Sequence, residues 1–400
     1  MKKVFVICAL LLTAASAVYA QKKNVTKAQY FLEDALMDPK HVNYERADMA
    51  WGFVEQAMKN PESVNMAKTW NIAGNLKVIY SNKMLMDRSS TGNMDYDAFF
   101  DLQYDIVTFF SRCDSLERLP NKKGEVKEPE YRKTNLELIK TPRQNLLIAG
   151  SQYVNSDVNR CIKFLDLYFS TFSDPFMAEL NFESTDTMKY DAYYILGNAY
   201  EQLKDTAKVI PAYEQAVNSE TYGKNACFGL MQIYKNRGQN DKWLEYCELG
   251  VKKFPNEPVF SKVLLGNYIE NKRWDDALKI ADLLIKNEPD DEWAYYNKGL
   301  IYFESNRANE AYEVFLQTIK IKPDYLEAYA AAGKAAWKVA DTSKDKNVTK
   351  EYYNKAIEMF EKARELSPDD ATTWGYSLYA CYNNIGNTAK AKEFAKYLKQ

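Results

Sequence analysis

Apolar and polar positions along this chain follow a helical rhythm. From Glu292 to Ser305 the apolar residues recur at intervals of three and four. Residues 306–308 break that run, and a second run of the same period extends from Asn309 to Ile321. Lys322-Pro323-Asp324 then stops it, because proline cannot continue a helix interior. The pattern predicts two amphipathic helices joined by a tight turn.

This helix pair recurs along the chain at one fixed step. Shifted back by the step that takes position 299 to 265, Gly299, Tyr302, Ala311, Phe315 and Pro323 land on Leu265, Tyr268, Ala277, Ala281 and Pro289. A second equal shift gives Met231, Tyr234, Trp243, Cys247 and Pro255, and a third gives Gly197, Tyr200, Val209, Tyr213 and Thr221. Small residues at 299 and 311 are expected to let two antiparallel helices approach closely, with Tyr302 and Phe315 filling the space beside them. Trp243 stands in a slot that is otherwise small, which predicts a splayed or repacked pair. Pro211 falls inside the second helix of its unit, which should start late or kink.

Going forward, Gly333 stands one such step after Gly299, but Ala356, Phe360, Ala363 and Pro368 arrive late, displaced by an insertion. The added stretch DTSKDKNVTK is polar, lysine-rich and without an apolar period. It is expected to form a loop, where extra length costs little.

These residues resemble the tetratricopeptide repeat, a helix–turn–helix unit of about 34 residues with a Trp-x2-Leu-Gly-x2-Tyr, Ala-x3-Phe, Pro signature. YYILGNAY (193–200) is similar to its first helix and EAYEVFLQTIKIKPD (310–324) to its second. The resemblance implies units at 190–223, 224–257, 258–291, 292–325, 326–370 and 371–400. It further implies an all-α fold, an α-solenoid of antiparallel helix–turn–helix repeats forming a right-handed superhelix.

The earlier half looks similar in kind. TWNIAGNLKVIY (69–80) and NLLIAGSQYV (145–154) read as first helices around Gly74 and Gly150. YERADMAWGFVEQAMKNPE and AFFDLQYDIVTFFSRCDSL read as second helices, and RLPNKKGEVKEPEYRK (118–133) as a long loop. The expected order is degenerate helical repeats over 21–140, a transitional repeat over 141–189, and then the array. A separate helical domain ending near residue 140 is the alternative.

In this family the first helix of each pair lines a concave surface. On the helix from Glu292, the face free for a partner carries Trp293, Tyr296, Asn297, Leu300, Phe303 and Glu304. The same face gives Tyr194, Asn198 and Gln202 in one unit and Asn225, Phe228, Gln232 and Asn236 in the next. It continues as Lys262 and Glu270, then as Lys334, Trp337 and Lys338. Aromatics supply contact area, and amides can bond a peptide backbone or sugar hydroxyls.

Composition adds a location. Residues 1–20 combine a charged MKK, an apolar run and the small-residue end SAVYA, the pattern of a secretory signal cleaved after Ala20. Its apolar run is too short to span a bilayer, and no transmembrane segment is expected. Without Lys2 and Lys3, 51 basic residues face 55 acidic ones, a net charge of −4, which speaks against a nucleic-acid partner. Thirty tyrosines beside 15 glycines suit helices packed by aromatics.

Candidate chemistry is sparse. Cys113, Cys161, Cys227, Cys247 and Cys381 are scattered and read as buried small hydrophobes, with a Cys227–Cys247 bond as the alternative. His41, the lone histidine, cannot build a common zinc site. No phosphate-binding or dinucleotide-binding glycine motif occurs, so no cofactor and no catalytic group are expected. EPDDE (288–292) and SPDD (367–370) sit where helices should begin, where acids cap and favour the dipole.

The expectation is therefore a non-enzymatic protein–protein interaction scaffold that binds protein or peptide partners, including cell-envelope complexes. Its place would be the periplasm of a Gram-negative bacterium, or the periphery of the outer membrane. A glycan-binding component of an outer-membrane uptake system is the alternative, suggested by the mixed Trp, Tyr and Asn face.

Overall fold

A computed structural model describes residues 23–38, 41–121 and 123–399, the last with side chains through residue 397. The expected signal segment lies outside the described residues. Among the described residues there is no strand, and no helix is long and apolar enough to cross a membrane. The chain divides into two compact units, residues 1–226 and 227–400.

The first unit carries α1 (residues 23–35), α2 (Tyr44–Met58), α3 (Ala67–Thr91), α4 (Tyr96–Glu117), α5 (Arg132–Tyr153) and α6 (Val158–Ser170). A short α7 (Phe182–Thr185), α8 (Lys189–Gln202) and α9 (Thr206–Ala216) follow, and α10 (Gly223–Asn236) carries the division between units. Val25, Leu32, Val54, Ile72 and Leu76 close one core beneath α1, α2 and α3. Phe100, Phe110, Phe164, Tyr168 and Leu196 belong to a larger one running from α4 to α8.

Asx caps start several of these helices, as Asp95 does for α4 by accepting the Ala98 amide and Asp157 for α6 by accepting the Arg160 amide. The segment between α4 and α5 is non-helical, as expected from its composition. Buried Asp114 anchors it by pairing with Arg118 at 2.8 Å and Arg132 at 2.6 Å, while the Glu117 carboxylate accepts the amides of Glu130 and Tyr131.

The second unit continues with α11 (Asn240–Lys253), α12 (Pro258–Glu270), α13 (Trp274–Asn287), α14 (Glu292–Glu304) and α15 (Ala308–Ile321). Then come α16 (Leu326–Thr342), α17 (Lys346–Leu366), α18 (Ala371–Asn384) and α19 (Thr388–Phe394). From α11 onward each helix packs on the next, and α14, α16 and α18 also touch in turn, so first helices lie side by side.

The repeat register survives in the helix starts. Helices α9, α11, α13 and α15 begin at Thr206, Asn240, Trp274 and Ala308, evenly spaced by the step read from the sequence. Pro211 therefore does not delay α9, which runs through it. Trp243 is accommodated half-buried on α11.

Two further expectations need correcting. The insertion is not a loop: α16 runs to Thr342 and α17 starts at Lys346, so it lengthens both helices. Asp345 caps α17 by accepting the Asn347 amide at 2.8 Å, and the Tyr353 hydroxyl donates to Asp341 across the turn. These added turns are largely exposed, and a polar-all-round helix shows no apolar period.

The second correction concerns the glycines. Gly299 makes room for a ring rather than for a neighbouring backbone: a Cβ there would stand 2.4 Å from Phe315 Cε1. Gly197 stands in the same relation to Tyr213 at 2.5 Å and Gly333 to Phe360 at 2.8 Å. Where the first helix carries a larger residue, the second shrinks. Met231 faces the Cys247 slot and Leu265 the Ala281 slot, all four at most 1% exposed. A near-constant total volume across the pair keeps packing dense.

Candidate functional site

A cavity of about 400 Å³ opens on the first helices of the second unit, within the size range of ligand sites. Tyr296, Leu300, Phe303 and Glu304 of α14 form one wall, and Leu326, Glu327, Ala330, Ala331 and Lys334 of α16 the other. Phe315 closes the floor, and Asp370 and Thr373 stand at the end nearest α18.

The repeat explains why the space exists. Ala330 is the counterpart of Tyr296 one repeat later, and the same position holds Lys262, Phe228 and Tyr194 in earlier units. Four units place a long side chain there and the fifth places a methyl. Tyr296 is half-buried beside the gap, its ring 5.7 Å from Phe315 and 5.2 Å from Tyr325. Burial, with Tyr325 and Glu327 nearby, raises its phenol pKa.

The rim is charged. Glu304, Glu327 and Lys334 are exposed, and among the described residues none of the three forms an ion pair. Asp370 accepts the hydroxyls of Thr372 and Thr373, which hold its carboxyl below the usual range and keep it ionised. The mouth thus presents three carboxylates and one ammonium over an apolar floor.

The structure gathers five of the expected partner-facing residues at this cavity: Tyr296, Leu300, Phe303, Glu304 and Lys334. The others lie outside it. Trp293 lies under the Lys262 ammonium, 4.9 Å from its ring, and Lys262 reaches Asp291 at 3.4 Å. The Asn297 amide donates to the Trp293 carbonyl at 2.8 Å. Lys338 sits 5.0 Å over the Phe303 ring and donates to Asn306 at 2.7 Å. Trp337 packs 6.1 Å from exposed Tyr376, and its indole N–H is buried without a hydrogen-bond partner among the described residues.

Within the first unit, three expected residues are engaged internally. Tyr194 stacks on Tyr222 at 4.6 Å, Asn198 accepts the Tyr213 hydroxyl at 2.6 Å, and Gln202 donates to the Val154 carbonyl at 2.6 Å. Asn225 there, and Phe228, Gln232, Asn236 and Glu270 of the second unit, are exposed. Sequence reasoning missed Ala330, Ala331, Glu327, Asp370 and Thr373. The available signal was an absence, the methyl at 330 where its counterparts are large.

Sequence reasoning also missed a cavity of about 640 Å³ in the first unit, built around Arg143. The guanidinium is 2% exposed, donates through Nε to Thr171 at 2.7 Å and pairs through Nη1 with Asp186. Rings of Phe182 at 3.7 Å and Tyr168 at 4.4 Å cover it, and the Tyr168 hydroxyl donates to the same Asp186 oxygen at 2.6 Å. Buried, paired and ring-covered, this arginine ties α5 and α6 to the segment before α8.

The structure describes Cys113, Cys161, Cys227, Cys247 and Cys381. All five are buried and free, and the Cys227 thiol donates to the Tyr246 carbonyl rather than bonding Cys247. Burial pushes each thiol up to about 12.

Comparison with known proteins agrees with the repeat. The tetratricopeptide repeat model matches residues 190–220 and 294–325, and these segments are tetratricopeptide repeats. TPR repeat-containing protein MJ1428 of Methanocaldococcus jannaschii is 26% identical over 137 residues, covering 32% of this chain. The match spans about a quarter (24%) of that relative's length. Among solved structures, MamA protein is 20% identical over 46% of this chain and 95% of its own, with a TM-score of 0.35. YrrB, described as a TPR protein with an unusual peptide-binding site, is 17% identical over 46% of this chain and 88% of its own, with a TM-score of 0.34. The C-terminal part of a TPR repeat-containing protein from Cytophaga hutchinsonii is 14% identical over 62% and 93%, with a TM-score of 0.40.

Proposed function

We propose that this tetratricopeptide-repeat protein is a non-catalytic scaffold that holds an extended segment of a protein partner on the first helices of its second unit. One observation carries the reading. Beside Tyr296 the array leaves a cavity with an apolar floor and a charged rim, at a position where the four preceding repeats carry a long side chain. Apolar pockets with a few placed polar groups anchor side chains of bound chains. Binding alone requires no catalytic group, and none is assigned.

The place of action is the cell envelope, on the strength of the signal-like residues 1–20. The partner is then another exported or envelope-embedded protein. A glycan ligand, the second reading, would rest on aromatic faces for stacking sugars. Tyr194 and Trp293, the aromatics best suited to it, are covered by Tyr222 and Lys262.

A photo-reactive amino acid placed at position 334 or 300 in producing cells tests the reading, with exposed Lys362 on α17 as the control position. Crosslinks to one or a few proteins from 334 and 300, and not from 362, are expected. Crosslinks that are absent, or equally abundant from all three positions, overturn it.

A further inference from the structure

The rim of the α14–α16 cavity carries more charge than a purely apolar pocket needs, and the charge has a sign. Glu304 and Glu327 are exposed and unpaired among the described residues, so no neighbouring cation neutralises them. Asp370 is held ionised by two threonine hydroxyls. Lys334 is the one cation among the lining residues, and Lys338 next to it is turned to Asn306 and the Phe303 ring. At neutral pH the mouth is therefore net −2, above apolar walls that include Leu300, Phe303 and Ala331 and a floor of Phe315.

We infer that the segment bound here carries one bulky apolar side chain next to a lysine or arginine. The inference rests on the peptide-binding reading above and names the chemistry of its ligand. At about 400 Å³ the cavity lies near the lower end of ligand-site volumes, which suits one or two side chains rather than a large cofactor. The apolar side chain takes the place that the half-buried Tyr296 and Tyr194 occupy in other units. The cation meets Glu304, Glu327 or Asp370 at the exposed edge, where charge sets selectivity and arrival rate more than raw affinity. An acidic neighbour meets the same three carboxylates and is repelled.

Selection of displayed random peptides on the full chain, followed by titration of the enriched peptides, tests this. Enriched sequences should pair Leu, Ile, Met or Phe with Lys or Arg one or two positions away. Their affinity should fall about three- to tenfold with Glu304→Gln and Glu327→Gln combined, since exposed ion pairs are individually weak. It should fall with added salt as well. Lys334→Gln should instead strengthen binding a few-fold, by removing the like charge. These exposed substitutions leave the core untouched, and circular dichroism checks the fold of each variant.

Enrichment of acidic or uncharged peptides, or weaker binding by Lys334→Gln, overturns the inference and leaves the peptide-binding reading standing. A selection that enriches nothing, or peptides whose binding ignores all three substitutions, overturns both.

Discussion

Replacing Gly299 by alanine isolates the contact on which the repeat packing turns. Any mid-helix Gly→Ala change gains about 1 kcal/mol of helix propensity. At Gly266 on α12 that gain stands alone, because an added Cβ meets nothing within 4 Å. At Gly299 the new methyl would stand 2.4 Å from Cε1 and 2.6 Å from Cδ1 of Phe315. Carbon atoms pack at about 3.5–4.0 Å, so ring and methyl must part by roughly 1.1 Å. Phe315 is fully buried with Tyr296 at 5.7 Å, so the ring must either strain its neighbours or shift toward the cavity whose floor it forms. Overpacking of this kind costs about 1–3 kcal/mol.

The propensity terms cancel between the two variants. Gly299→Ala should therefore lie about 1–3 kcal/mol below Gly266→Ala, with Gly266→Ala above the parent. Thermal unfolding by far-ultraviolet circular dichroism reads the difference at roughly 2–4 °C per kcal/mol for a unit of this size. Adding Phe315→Leu to Gly299→Ala should recover part of the loss, because the overlap and its relief share one site. If Gly299→Ala melts at or above Gly266→Ala, the glycine does not serve the ring and the packing argument fails.

Three further outcomes are expected. Titration with an aromatic disulfide should find Cys113, Cys161, Cys227, Cys247 and Cys381 unreactive in the folded chain and all reactive once unfolded; two missing thiols would reveal a Cys227–Cys247 bond instead. Stability should be lost in alkali: burial raises the five thiols to about 12 and, with Glu248 and Glu361 adjacent, the Tyr268 and Tyr382 phenols to about 12. A raised folded pKa stabilises only while the group stays protonated, so the urea midpoint should hold below about pH 9 and fall as pH climbs toward 12, and a flat profile would contradict this. Arg143→Ala should cost the first unit about 3–5 kcal/mol by stranding the Asp186 carboxylate, visible as lost hydrogen-exchange protection in α5 and α6; a neutral result would show that the buried pair ties nothing down.

The periodic part of the fold was legible because it is local. Helix pairs, their turns and the repeat register follow from apolar spacing and from Pro255, Pro289, Pro323 and Pro368 at the ends of four of the pairs. The glycine–ring contact was half legible: the small residue at 299 and the large ring at 315 both showed, but spacing alone does not say that the ring lies on the glycine itself. The insertion misled because its added turns are exposed, and exposure erases the apolar period that marks a helix. Arg143 could not be read at all, since Asp186 lies 43 residues away with no pattern joining them.

The candidate site was partly legible for a related reason. Scanning for large side chains on one helix face finds Tyr296, Leu300 and Phe303. It does not find Ala330, whose part is to be small where Tyr296, Phe228 and Tyr194 are large. A cavity is a missing volume, and only comparison of aligned repeats exposes it.

Filling that volume is the most direct test of the account. Ala330→Tyr restores the aromatic found at this position in three other units and leaves the charged rim in place. Fluorescence anisotropy of a peptide selected on the parent chain should show at least a tenfold loss of affinity, with a melting temperature equal to or above the parent's. Unchanged affinity in a folded Ala330→Tyr protein would contradict the account, because the partner would then not be using the gap beside Tyr296.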